Sequence, residues 1–465
     1  DFDALAHAEH RTVRDRRHRF GVGQIDPHLP CTPRHSAVHC PGVDVPKSQL
    51  ECNSPGNRPL ACSRRSIDRD QHATIIHVMP PRRKLRLFVI LGSVVVVLLS
   101  LAWTAAPYVA GAAFVIDLSG QDVALRRWLP VSVERVETED LSVPTRHGAI
   151  EGRLYRPARH TRRTALVVPG LHTAGVEEPR LTRLATRLAG EGINVLSLPL
   201  PDLRQFRVTP RSTDMIEDAV RWLSDQRDIA PDRKLTLVGV SFGGGLSLVA
   251  AGRSALVDRL DMVISVGGHG DLPRVINYLC TGRLPDGTVQ PANDYGAAIV
   301  LLGTLPLLVP AEQVAPLEQA VRMFLDASVA DGPAPEQAAA LFAESRRLGE
   351  ALPEPARAII ADVSARDVMR LGPRLVGLAE LTAGDPALSP ERSPATLVPV
   401  LLVHGVHDTV IPQTETPALA SYLAGAGNEQ VSWLLTPAIS HANAAPAVTA
   451  GELWTLVRFW TQVLK

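Results

Sequence analysis

Four short, unbroken apolar runs constrain the fold most: "TALVVP" (164–169), "INVLSLPL" (193–200), "KLTLVGV" (234–240) and "DMVISVG" (261–267). Between them lie stretches such as "EEPRLTRLATRLAGEG" and "DMIEDAVRWLSDQ", whose apolar residues recur at i, i+3 and i+4. Strands without polar alternation are buried on both faces, and strands that alternate with helices pair in parallel. The expected architecture is therefore α/β, a mostly parallel sheet covered by helices. "VSVERVETEDLSVPT" and "GAIEGRLYRP" read as a two-stranded antiparallel start, "LVPVLLVHG" and "QVSWLLTP" resume the strands from residue 396, and "GELWTLVRFWTQVL" closes the chain as a helix.

This rhythm stops near residue 270 and returns near 396. The interval holds "AEQVAPLEQAVRMFLDASVA", "PEQAAALFAESRRLGEAL", "EPARAIIADVS" and "ARDVMRLGPRLVGLAEL", all helical in period and separated by Pro, Gly and Asp. Residues 270–395 are read as a helical cap inserted between two parts of one core, 132–269 and 396–465. Within the cap, "AAIVLLGTLPLLVP" (297–310) is too short and too Pro-broken to cross a bilayer. A buried cap helix is the expectation, with an acyl-pocket lining or a surface resting on lipid as the other readings.

The N-terminal part differs in composition. Residues 1–86 carry 15 Lys and Arg against 9 Asp and Glu, with 8 of the 15 histidines, 4 of the 5 cysteines and no Trp or Tyr. So few large apolar side chains cannot offset ordering entropy, and residues 1–78 are expected to be disordered or a non-native upstream extension. Met79, the first methionine, is the expected natural start, since "PPRRKLR" and an apolar run follow it at once. Cys31, Cys40, Cys52 and Cys62, with His35 and His39, lack the paired C-x2-C spacing of a metal site. "GVGQID" at Gly21 has no strand before it and is not expected to bind a dinucleotide.

"LFVILGSVVVVLLSLAWTAA" (87–106) carries no charge over 20 positions. At 1.5 Å of rise per residue it spans roughly the 30 Å hydrocarbon core. Arg82, Arg83, Lys84 and Arg86 precede it, and the first charges beyond it are Asp117 and Asp122. Segment 79–118 is expected to be a single-pass membrane anchor with the following domain on the extracytoplasmic side. Secretion after cleavage at the small-x-small stretch Ala110-Gly111-Ala112 is the alternative. Only Cys280 lies beyond the anchor, so no disulfide within that part is expected. The formal net charge of zero gives no reason to expect nucleic acid as a partner.

The chemistry is concentrated at three points. Gly239-Val240-Ser241-Phe242-Gly243 lies where a buried strand gives way to a helix, the context of a G-x-S-x-G nucleophile elbow. A serine hydroxyl is a weak nucleophile, so it needs a base, and the base an orienting acid. "HDTVIP" places Asp408 just beyond one strand, and "AISHAN" places His441 beyond the next. The bland readings are a helix-capping Ser241, a turn-forming Asp408 and a surface-loop His441. Asp271, in "GGHGD", is an alternative acid, while His172, His269, His404 and His407 read as supporting or loop residues.

Residues 132–268 and 396–465 resemble the α/β-hydrolase fold, on "GVSFG", "HGVHDTVIP" and "SHAN" at successive strand ends. In that family the nucleophile follows the fifth strand, caps follow the sixth, the acid the seventh and the histidine the eighth. The resemblance implies that Ser241 attacks an acyl carbon, that His441 takes and returns the proton, and that Asp408 fixes its tautomer. It also implies an oxyanion hole from the N–H groups of Phe242 and of Leu171, the latter in "VVPGLHTAG" where the family often has His-Gly. Asp202 and Arg204 match the start of a family D-x-R-G motif, but Gln205 and Phe206 depart from it.

The implied function is a membrane-anchored serine hydrolase acting on a small-molecule carboxylic ester of hydrophobic character. It implies no metal or organic cofactor and no nucleic acid. A peptidase or acyltransferase on the same triad, and a non-catalytic binding protein that keeps the fold, are the alternatives.

Overall fold

The structure is a computed structural model that describes residues 81–119, 135–332, 334–439 and 449–464. The readings of residues 1–78, of Met79 and of His441 fall outside the described residues. After helix α1 (Pro81–Ser119) come strands β1 (Val136–Val143) and β2 (Ile150–Pro157), the two-stranded antiparallel start that the sequence predicts. Then follow β3 (Thr164–Val168), α2 (Pro179–Gly190), β4 (Asn194–Ser197), α3 (Pro201–Arg204), α4 (Pro210–Asp225), β5 (Leu235–Val240), α5 (Phe242–Ala251) and β6 (Leu260–Val266). Seven helices come next: α6 (Leu272–Thr281), α7 (Asp294–Leu308), α8 (Ala311–Ala330), α9 (Pro335–Glu350), α10 (Ala356–Ser364), α11 (Val368–Val376) and α12 (Ala379–Ala383). The chain then returns as β7 (Val400–Gly405), α13 (Glu415–Gly425), β8 (Val431–Thr436) and α14 (Ala450–Leu464).

The eight strands form one sheet in the order β1-β2-β4-β3-β5-β6-β7-β8. Strands β3 to β8 run parallel to their neighbours, and β2 joins β4 antiparallel through Arg153–Tyr155 against Val195–Ser197. All five residues of β3 and all four of β4 are buried, as unbroken apolar strands require. One apolar cluster on α4, α5 and the helices after β6 includes Leu196, Leu237, Phe242, Val263 and Leu301. A second, on the sheet's other face, joins α2 and α14 through Leu184, Leu188, Val403, Phe459 and Trp460. Within the segment 297–310, Ala297 through Leu302, Leu305 and Val309 are buried in the first cluster, while Leu307 is exposed.

Parallel strands deliver every β-to-α turn to one edge of the sheet. That edge, where the strands end, holds the candidate site.

One helix among the described residues is long and apolar enough to cross a membrane, Leu85–Leu118, with a mean hydropathy of 2.6 in its apolar window. Residues 85–106 are exposed throughout, but Ala113, Phe114, Val115 and Ile116 are buried.

Candidate active site

Strand β5 ends at Val240 and α5 begins at Phe242, so Ser241 alone makes the turn. Its backbone sits at φ 56°, ψ −131°, a conformation costing a non-glycine residue on the order of 1–3 kcal/mol. The neighbouring elements hold it there: Ser241 N–H donates to Val266 O at 2.8 Å, and Ser241 O accepts from Gly244 N–H at 2.8 Å. The residue is 6% exposed. A helix cap does not need this backbone, because N-cap residues ordinarily lie in the β region.

The loop after β3 lies directly on this elbow. A Cβ on Gly170 would stand 2.7 Å from Ser241 Cβ and 3.2 Å from its Oγ, and one on Gly243 would strike the Pro169 carbonyl oxygen. Glycine at both positions permits the approach. Leu171, next in the loop, is half-buried against the core, and Phe242 is buried at the first turn of α5. The N-terminus of a helix favours negative charge through its amides and its dipole.

Sequence reasoning did not assign the residues that prop this loop. Arg204 Nε donates to Thr173 O at 3.2 Å, which gives the interrupted D-x-R motif a structural role. Asp202 accepts from Thr209 Oγ1 and is buried. The Ala174 N–H donates to His172 Nδ1 at 3.1 Å, and burial pushes the His172 pKa below its usual value. Asp326 on α8 meets the Thr173 hydroxyl, and burial raises its carboxyl pKa. No local signal marks Asp326, whose place depends on how α8 packs.

Asp408 lies beyond the end of β7 and is 3% exposed. Its Oδ1 accepts the N–H groups of Val410 at 2.8 Å and Ile411 at 2.9 Å, and its Oδ2 lies 3.4 Å from His404 Nε2. His404, within β7 and fully buried, contacts Ile411 O through Nε2 at 2.9 Å and Thr416 Oγ1 through Nδ1 at 2.8 Å. A carbonyl accepts only, so Nε2 donates to Ile411 O. The loop is also tied to the segment entering α7: Gln290 Nε2 donates to Asp408 O at 3.0 Å and Asn293 N–H to Thr409 O at 2.8 Å.

The other candidates are engaged elsewhere or stand apart. Asp271 caps α6, its Oδ1 accepting from Arg274 N–H at 2.8 Å and its Oδ2 from Arg392 Nε at 2.5 Å. His269 is fully buried, donates from Nε2 to Leu388 O at 2.8 Å, and packs on Phe242 with ring centroids 5.6 Å apart. His407 is exposed. Ser241 follows β5 and Asp408 follows β7, with β6 between them. Two strand spacings put their backbones about 10 Å apart laterally. His441, in the segment after β8, lies outside the described residues. Among the described residues no group of three or more His, Cys, Asp or Glu could hold a metal ion.

A family model described as alpha/beta hydrolase fold matches residues 197–432. Among solved structures, a hyperthermophilic esterase from the archaeon Pyrobaculum calidifontis is 17% identical with a TM-score of 0.41, the match covering 77% of this chain and 88% of that one. A thermophilic carboxylesterase cloned from a metagenomic library is 16% identical with a TM-score of 0.39, covering 72% and 92%. The acylaminoacyl peptidase of Pyrococcus horikoshii is 12% identical with a TM-score of 0.39, covering 71% and 41%. No curated protein sequence matches the chain.

Proposed function

This chain belongs to the α/β-hydrolase fold family of enzymes, and from that premise we propose that it is a serine hydrolase cleaving carboxylic esters through an acyl-enzyme on Ser241. The observation that carries this reading is the backbone of Ser241, held at φ 56° between a buried strand and a helix N-terminus with Gly170 packed against it. Strain of this kind persists where surrounding structure enforces it and function uses it.

In the proposed cycle Ser241 Oγ attacks the ester carbonyl carbon while His441 takes its proton. The tetrahedral oxyanion accepts hydrogen bonds from the N–H groups of Phe242 and Leu171. The intermediate collapses, the carbon–oxygen bond to the alcohol breaks, and His441 returns the proton to the leaving alcohol. Water, deprotonated by the same ring, then attacks the acyl carbon, the bond from that carbon to Ser241 Oγ breaks, and His441 returns the proton to Oγ as the acid leaves. Asp408 holds the imidazole tautomer through Oδ2, while the amides of Val410 and Ile411 keep its carboxylate in place through Oδ1. Helices α6 to α12 act as the cap over this edge. Helix α1 acts as an uncleaved anchor, the basic residues of its first turns on the cytoplasmic side and the catalytic domain outside.

The test is fluorophosphonate labelling of the full chain, wild type beside Ser241→Ala, with p-nitrophenyl esters of increasing chain length. Labelling lost in the variant together with ester turnover by the wild type supports the reading. A folded wild-type protein that neither labels nor turns over any ester overturns it in favour of a binding protein.

A further inference from the structure

Helix α1 has two halves with different surroundings, and the second half belongs to the catalytic domain. Three pairings with α14 share one spacing. The Tyr108 ring stacks on Trp454 with centroids 5.5 Å apart, Gly111 lies against Val457, and Phe114 packs on Trp460 at 4.9 Å. The two helices therefore run side by side in the same direction. A Cβ on Gly111 would stand 2.7 Å from Thr461 Oγ1 and 3.1 Å from Val457 O. The small residues that read as a cleavage pattern are thus the seat of α14.

Two contacts fix which way this pair points. Arg163, just before β3, donates to the carbonyls of Val463 at 2.5 Å and Leu464 at 3.3 Å. Helix α14 therefore ends at the sheet edge where the parallel strands begin, and starts at the edge where they end. Asp117 pairs with Arg187 at 3.1 Å, in the last turn of α2, which hands the chain to the start of β4. Helix α1 thus also finishes at the starting edge. Followed backwards, it runs along the flank of the domain and leaves at the edge that carries Ser241 and Asp408.

Only Pro107 separates the exposed apolar run 87–106 from Tyr108, so no linker intervenes. Those 20 exposed residues span about 30 Å as a helix, the thickness of a hydrocarbon core. At their end stand Trp103, 79% exposed, Tyr108, and the catalytic domain's own Trp454, 52% exposed. Amphipathic aromatic rings of this kind gather at the boundary between lipid and water.

We propose that the enzyme faces the bilayer in which it is anchored with its catalytic edge, and that it draws its substrate, an ester with a long acyl chain, from that bilayer. The substrate class rests on the reading of Ser241 as nucleophile; the orientation does not.

The test uses the full chain in lipid nanodiscs, with Cys31, Cys40, Cys52 and Cys62 replaced by serine and one fluorophore attached through Ala450→Cys or Lys234→Cys. Ala450 opens α14 at the proposed membrane-facing edge, and Lys234 precedes β5 at the other; both are exposed. Nitroxide-headgroup lipids are expected to quench the label at 450 and to spare the label at 234. Equal quenching at both, stronger quenching at 234, or none at either overturns the orientation. In the same discs, p-nitrophenyl palmitate is expected to turn over at least about tenfold faster than p-nitrophenyl acetate at equal bulk concentration, because the long chain partitions into the bilayer. Equal or faster turnover of the acetate overturns the substrate class. Failure of the nucleophile reading has a different signature, turnover that survives Ser241→Ala, and leaves the quenching pattern intact.

Discussion

Arg274 grips Glu415 with two hydrogen bonds, from Nε at 2.5 Å and from Nη2 at 2.8 Å, and Glu415 is completely buried. The same guanidinium holds Glu391 at 2.7 and 2.9 Å, and Glu415 Oε2 also accepts the N–H groups of Gly270 and Asp271. One cation thus ties together the turn after β6, the segment that leads back to β7, and the start of α13. Burial opposes the charge on Arg274, yet its two carboxylate partners leave its pKa raised.

Glu415→Gln takes one of its two carboxylates from Arg274 and leaves it Glu391, and is expected to destabilise the protein by about 2 kcal/mol, read as a lowered midpoint in urea denaturation. An unchanged midpoint would mean that the pair does not anchor the root of the cap helices.

Gly170 carries a prediction about rate. A methyl group there would push the loop off Ser241 and displace the Leu171 amide from the proposed oxyanion position. Gly170→Ala is expected to lower kcat by roughly 10²–10³, the usual cost of one lost oxyanion donor, with little change in KM. Ester kinetics beside a thermal melt separate this from misfolding.

Asp408→Asn keeps an acceptor for the amides of Val410 and Ile411 and removes the negative charge. Folding is expected to survive while kcat falls by about 10⁴, as when the orienting acid of a Ser-His-Asp triad loses its charge. If Asp271→Asn causes the larger loss instead, the acid follows β6.

Stability should fall in weak acid. Burial holds the pKa of His269 and of His172 below the ordinary value of 6.5. Below that value the unfolded chain binds protons that the folded one refuses, so their contribution is complete above pH 6.5 and declines as pH falls toward the folded pKa. Melting temperatures at pH 7.5 and 5.5 check this, and the decline is expected to be smaller in His269→Gln. Equal declines in both proteins would show that His269 titrates alike in the folded and unfolded states.

The eight strands and the long helices were legible because short apolar runs and the 3.6-residue period are properties of neighbouring residues. The apolar run of β3 and the amphipathic period of α2 each appear within a dozen positions. The turn at Ser241 was legible for the same reason, since its chemistry is written in five consecutive residues. Asp326 was not, because it acts on Thr173 across a fold-level contact that leaves no trace beside it in the chain; Arg204 was marked by its motif, but its contact with Thr173 O was not. His404 read as a supporting or loop residue, and it is buried inside β7 with its ring committed to Ile411 and Thr416.

Helix α1 shows the division most clearly. By itself the sequence determined that an uncharged run long enough to cross a bilayer precedes an α/β core with a serine elbow, because length, charge and periodicity are local sums. Only the tertiary structure decided that residues 107–118 belong to that core and that the run leaves it at the sheet edge that carries Ser241 and Asp408. That outcome depends on α14, the last helix of the chain, offering Val457 and Thr461 as a seat for Gly111, and burial is defined by the partner rather than by the segment.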